Sequence, residues 1–302
     1  MESVLVTGAT GFIGKALVEK LLCEGLCAHV LTRNPVAAKA RLPAEVQIWA
    51  WSPSQQTLEL PEDVSAVIHL AGESLAHWPW SSRRKEQLWK SRVEPTRLLV
   101  EALGRMKHKP AVLISASGMG YYGDGGDREV HVGDPPGGDF LGRLAAAWEA
   151  EALKAERLGI RVVLPRFGMV LGSHGGALSK MALPFRFGLG AVLGTGKQYW
   201  SWIHIGDAVE LLVQAIKDER FRGPVHAVAG ESMTQREFSR VLAHNLHRPL
   251  WFRVPVPGLR LALGEMADLF LHGQKVSADT SFFVPSIFTL EKALKSTSLL
   301  SH

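Results

Sequence analysis

Gly8, Gly11 and Gly14 recur at every third residue between the apolar run Val4 to Thr7 and a segment whose Leu17, Val18, Leu21 and Leu22 repeat at helical spacing. A phosphate can reach the free N–H groups and the positive end of a helix only where no Cβ intervenes. The turn therefore reads as the cradle of a dinucleotide pyrophosphate, with Gly8, Thr10, Gly11, Phe12, Ile13 and Gly14 against it. Glycine spacing alone is a weak signal. The strand before it and the helix after it make it specific.

The second strand-like run ends about twenty residues beyond these glycines, where such a fold reads the adenosine ribose. An acid there would favour NAD. This chain has Thr32, then Arg33 and Asn34, so no carboxylate repels a 2′-phosphate and a guanidinium is available to grip it. NADP(H) is the expected cofactor. Leu70, Ala71 and Gly72 close the fourth run with small residues across which the cofactor can lie. His69 beside them reads as a satisfied strand residue. Arg92 falls on the same helical stripe as Leu88, Leu99, Leu103 and Met106 in a helix expected over 82–106, which directs it to the nicotinamide half of the cofactor or to the substrate. Arg166, at the end of the sixth run, is expected to line the crevice, because an isolated buried arginine is rare.

The elements that must position these residues follow from the pattern. Apolar runs at 3–7, 28–32, 46–50, 66–70, 111–115 and 160–166 alternate with helical stretches, as in a doubly wound parallel sheet covered on both faces. The expectation is an α/β chain with a Rossmann-type, NADP-binding domain over 1–168. Residues 169–302 would form a smaller substrate-side lobe, with segments returning to the sheet. Helices are expected from Asp207, placed as a cap, and from Thr234. The stretch 253–257 reads as an extended connector.

The 302 residues carry 34 Lys and Arg against 29 Asp and Glu, and no basic run is interleaved with aromatics, so nucleic acid is not an expected partner. No apolar run is long enough to span a bilayer, and a soluble cytoplasmic chain is expected. Cys23 and Cys27 lack a second ligand pair and read as reduced packing residues, leaving no metal site.

With the glycine turn, Leu70 to Gly72 and the run Ser115, Ala116, Ser117, Gly118, Met119, Gly120, Tyr121, Tyr122, Gly123, Asp124 in place, the chain resembles the extended short-chain dehydrogenase/reductases. It is most similar to their atypical, epimerase-like branch of NADP-dependent oxidoreductases. The likeness runs on through Trp148 to Ala150, Gly175 to Leu178, Ser201 to Asp207 and Gly273 to Val276, and only 277–302 departs from it. It implies an enzyme of a small hydroxy or carbonyl substrate, with Ser115 among the cofactor contacts and a homodimer as one open assembly. It also implies a tyrosine, a lysine four residues later and a serine around the reacting oxygen. Here the tyrosines are Tyr121, Tyr122 and Tyr199, followed four residues on by Gly125, Gly126 and Ile203, and Phe140 and Leu144 stand where the pair belongs. Gly118 takes the serine's place. Ser117, Tyr121 and Tyr122 are the substitute catalytic candidates, with Arg92 supplying positive charge. A cofactor-binding regulator without catalysis is the alternative.

Overall fold

Alternation along each strand decides the architecture. In the computed structural model, Val4 and Val6 of β1 (Ser3–Thr7) face one side and Leu5 the other, and all three are buried. The same alternation holds in β2 (Cys27–Thr32), β4 (Ala66–His69) and β5 (Val112–Ser115), so each strand packs on both faces. Val4, Val6, Val30 and Ile68 meet Leu17, Val18 and Leu21 of helix α1 (Phe12–Cys23). Leu5, Leu31 and Val67 meet Leu99 and Leu103 on the opposite side. The structure describes residues 2–297 except 52–57, 77–78, 174, 231, 277, 279–280 and 282; part of the divergent 277–302 tail thus lies outside the described residues.

With β3 (Gln47–Ala50), β6 (Arg161–Phe167) and β7 (Gly223–Ala227), the strands run parallel in the order 7-6-5-4-1-2-3. The segment Ser117–Gly118 adds a short eighth member beside β6. The order reverses between β1 and β4, and ligands of such sheets bind beyond the strands' carboxyl ends at that point. This is the Rossmann arrangement. Its last strand, β7, comes from residues well beyond 168.

Short strand pairs and helices build the rest. Met169–Leu171 pairs with Trp202–His204, Tyr199–Trp200 with Met233–Thr234, and Ala191–Leu193 with Phe252–Val254. Helix α2 (Ser82–Lys90) and helix α3 (Val93–Arg105) are two helices, where the sequence pattern suggested one over 82–106. Pro95 explains the break: it offers no N–H to the Ser91 carbonyl and its ring clashes with that oxygen. Helix α4 (Phe140–Leu153) packs against α3.

One cap differs from expectation and one matches it. The helix Ile205–Lys217 is capped by His204, whose Nδ1 accepts the Gly206 N–H at 3.1 Å. Asp207 lies inside its first turn and accepts from the Ser286 N–H (2.8 Å), the Ser286 hydroxyl (2.6 Å) and the Ile287 N–H (3.1 Å). Thr234 caps Gln235–Asn245 and completes a capping box with Glu237, as its position predicted. The expected connector at 253–257 is divided between strand Phe252–Val254 and helix Val256–Leu263. Among the described residues no helix is long and apolar enough to cross a membrane.

Candidate active site

Two clefts flank the carboxyl ends of the strands. The first, of about 500 Å³, is lined by Gly8, Thr10, Gly11, Thr32, Arg33 and Leu70 to Gly72, together with Trp51, Gln87 and Lys90. Gly8 has φ +72°, and a Cβ there would stand 2.6 Å from the Leu70 carbonyl oxygen. A Cβ on Gly14 would stand 2.6 Å from Ala9 Cα, so only glycine lets α1 press this closely on the turn. The α1 N-terminus has no side-chain cap and no acid in its first turn, leaving its N–H groups and positive dipole for an anion. These features fit a dinucleotide diphosphate: the residues present leave room for it and supply the donors. Arg33 is exposed at the mouth of this cleft, beside Asn34, which caps the next short helix through its contact with the Ala37 N–H at 3.0 Å.

Behind the cleft, His69 joins the strand ends to α3. Its Nδ1 pairs with the Thr7 hydroxyl at 2.7 Å and its Nε2 with the Thr96 hydroxyl at 2.9 Å. The Ala71 N–H donates to the same Thr7 oxygen at 3.2 Å. Burial pushes the imidazole pKa down to about 4, so this histidine is a neutral bridge. Two further predicted contacts have these side-chain surroundings. Phe12 packs under Gly172, Gly175 and Gly176, and Ser115 is buried at the end of β5 with no hydrogen-bond partner for its hydroxyl among the described residues.

The second cleft, of about 470 Å³, carries Ile13, Arg92, Ser117 and Tyr121 on walls made largely of apolar side chains, among them Leu144, Trp148, Met181 and Phe270. Arg92 stands at the N-terminus of α3, over the Trp148 ring at 5.4 Å. It donates to the carbonyls of Glu73 (2.7 Å) and Leu88 (3.2 Å). Burial lowers its pKa to about 10, leaving it charged at neutral pH. A Cβ on Gly72 would come 3.3 Å from the Arg92 guanidinium carbon, so the strand-end glycine makes room for it.

Arg166 and Tyr122 differ from their expected places, for one reason. Arg166 is 2% exposed and lies behind the cleft wall, because Glu149 of α4 takes its charge: Nε and Nη2 reach the two carboxylate oxygens at 2.8 and 2.7 Å. Its Nη1 donates to the Tyr122 hydroxyl at 2.6 Å, which also meets His226 Nε2 at 2.6 Å. Burial pushes the Tyr122 phenol up to about 12. Ser117 donates its hydroxyl to Glu149 at 2.6 Å. Of the three substitute candidates, Tyr121 alone reaches the cleft without such a tether. Its ring lies under the Arg166 guanidinium at 3.5 Å. Glu149 escaped the sequence reading, although a carboxylate on a stripe with Leu144, Ala145, Trp148 and Ala152 carries the same signal that singled out Arg92.

Residues 4–230 match the model of the NAD dependent epimerase/dehydratase family. The chain belongs to that family. Among its epimerase-family relatives, epimerase family protein SSP1921 of Staphylococcus saprophyticus is 39% identical over 279 residues, covering 91% of each chain. The chloroplastic SDR39U1 homolog of Arabidopsis thaliana is 35% identical, over 91% of this chain and 79% of its own. The crystal structure of human epimerase family protein SDR39U1 (isoform 2), solved with NADPH, superposes with a TM-score of 0.87 at 32% identity over 99% of both chains. UDP-glucuronic acid 4-epimerase from Bacillus cereus, 18% identical with a TM-score of 0.78, shares the fold. This epimerase-family chain thus carries the family's nucleotide cradle on the same kind of sheet.

Proposed function

We propose that this epimerase-family chain is an NADP(H)-dependent oxidoreductase or epimerase acting on a small hydroxy or carbonyl compound. The observation that carries the reading is the first cleft, with a Cβ-free, acid-free helix terminus at one end and Arg33 in place of an acid at the other. That human SDR39U1 was solved with NADPH supports the choice of cofactor. Gly8 to Gly11 would hold the diphosphate, Arg33 and Asn34 the 2′-phosphate, and Leu70 to Gly72 the crossing towards the second cleft. A bound reduced nicotinamide supplies hydride. Arg92 holds positive charge beside the reacting region, Tyr121 offers a hydroxyl, and the apolar walls exclude water. A cytoplasmic location belongs to the same reading and rests on the free thiols Cys23 and Cys27.

Calorimetry with NADPH and NADH, followed by NADPH oxidation over a panel of carbonyl compounds, tests this reading. Tighter binding of NADPH and turnover of one substrate class are expected. No binding of either nucleotide removes the proposal. A second reading, a cofactor-occupied regulator, is favoured by the engagement of Tyr122 and Ser117 in the Arg166–Glu149 network. In that case a partner protein would bind differently with and without NADPH.

A further inference from the structure

The second cleft holds titratable side chains that the chemistry above leaves unused. Asp139 precedes α4, and its Oδ1 accepts the Gly142 N–H at 2.7 Å, so the helix terminus fixes this carboxylate. Its Oδ2 lies 3.6 Å from Nδ1 of His272. The other ring nitrogen, Nε2, lies 3.6 Å from Oδ1 of Asp268. All three line the cleft with Ser117 and Tyr121, and the ring remains partly exposed, unlike Tyr122. The backbone under the ring is pinned. The His272 N–H donates to the Asp268 carbonyl at 3.0 Å, the Gln274 N–H to the Tyr199 carbonyl at 3.1 Å, and the Gly273 N–H to Asp124 Oδ1 at 3.3 Å.

We propose that His272, held between Asp139 and Asp268, is the proton donor of this cleft, doing the work for which the chain lacks a lysine-assisted tyrosine. The proposal rests on the oxidoreductase reading. Each ring nitrogen faces a carboxylate at 3.6 Å, longer than a tight hydrogen bond, so both acids stabilise the imidazolium while holding its N–H groups loosely. The groups facing the ring are Asp139 from the α4 terminus, Asp124 from the loop after Tyr122 and Asp268 from its own helix. Arg260 draws on Asp268 from outside at 3.2 Å, and Arg143 stands near Asp139. Acids dominate: Asp139 first, then Asp268 and Asp124, hold the imidazole pKa above the ordinary histidine value.

The step balances. As the carbonyl carbon takes hydride from a reduced nicotinamide, the C=O π pair becomes a new O–H bond with the ring proton. The substrate gains two electrons and the nicotinamide loses two, and the neutral ring recovers its proton from water. The reverse direction needs the neutral ring and is favoured above its pKa.

The test uses the full chain with NADPH and the carbonyl panel. His272→Gln is expected to lower kcat by about a hundredfold, to leave NADPH affinity unchanged by calorimetry, and to abolish the fall in reduction rate as pH rises through the ring's pKa. Asp268→Asn is expected to move that fall to lower pH. Independently of turnover, ¹⁵N-histidine NMR is expected to show the His272 ring titrating above the ordinary histidine value, and lower in Asp268→Asn. An unchanged pH profile in His272→Gln, or a ring titrating at or below the ordinary histidine value, overturns the proposal while leaving the enzyme reading intact. NADPH oxidation by the wild type with no member of the panel overturns both, and the wild-type rate separates the two failures.

Discussion

Arg33 lines the first cleft, is exposed and has no ion pair among the described residues, so its contribution to binding should depend on what the ribose carries. A charge-assisted contact to a 2′-phosphate is worth about 1.5 to 3 kcal/mol. Arg33→Ala should therefore weaken NADPH by that amount and leave NADH nearly unchanged; equal losses by calorimetry would refute the assignment. His69 makes a different prediction, because it is wholly buried and neutral. As pH falls below the ordinary 6.5, the unfolded chain takes up a proton that the folded chain refuses until about 4. Stability present above 6.5 is lost progressively across that window, by about 3 kcal/mol in all. Denaturant titrations at several pH values should show a shallower acid loss in His69→Gln than in the wild type. The type of each of these residues was plain from the sequence, but the partners that decide its role were not. His69 read as a satisfied strand residue from its position alone. Arg166 was expected on the crevice wall because its counter-charge, Glu149, lies on another element.

The glycine turn shows what an element imposes on its residues. α1 can approach β1 only because Gly14 has no Cβ and Gly8 takes φ +72° under the Leu70 carbonyl. Gly14→Ala should cost about 1 to 3 kcal/mol of stability by overpacking and displace the helix N-terminus from the diphosphate. Thermal denaturation should show the first effect and loss of NADPH binding the second. If Gly14→Ala bound NADPH normally, the cradle would not depend on that close approach. Strands β1 to β6 were legible to within about a residue because each reads as an apolar run, whereas β7, with its glycine, proline and histidine, carries no such run and was not singled out. The break between α2 and α3 was hidden, since the stripe from Leu88 to Met106 continues through it and Pro95 acts four residues back, at the Ser91 carbonyl. The pairings beyond 168 were not legible for another reason: the strands are two or three residues long and find distant partners, as Phe252–Val254 does with Ala191–Leu193.

At the scale of the whole molecule, the two clefts are served by the same strand ends. Gly72 lines the first while making room for Arg92 of the second, and α1 presents Gly11 to one and Ile13 to the other. A dinucleotide extended along the switch point would reach both, whereas its adenosine end alone would fill only the first. Hydrogen exchange can tell these apart. NADPH should slow exchange around 8–14 and 70–73 and also around 117–121 and 272–274, whereas adenosine 2′,5′-bisphosphate should protect only the first two segments. The second pair of segments is far apart in sequence but converges on one cleft, so their joint protection would require a ligand spanning the fold. Protection by NADPH confined to the first two segments would mean that the clefts do not act as one site, and the nicotinamide would then have to be placed elsewhere.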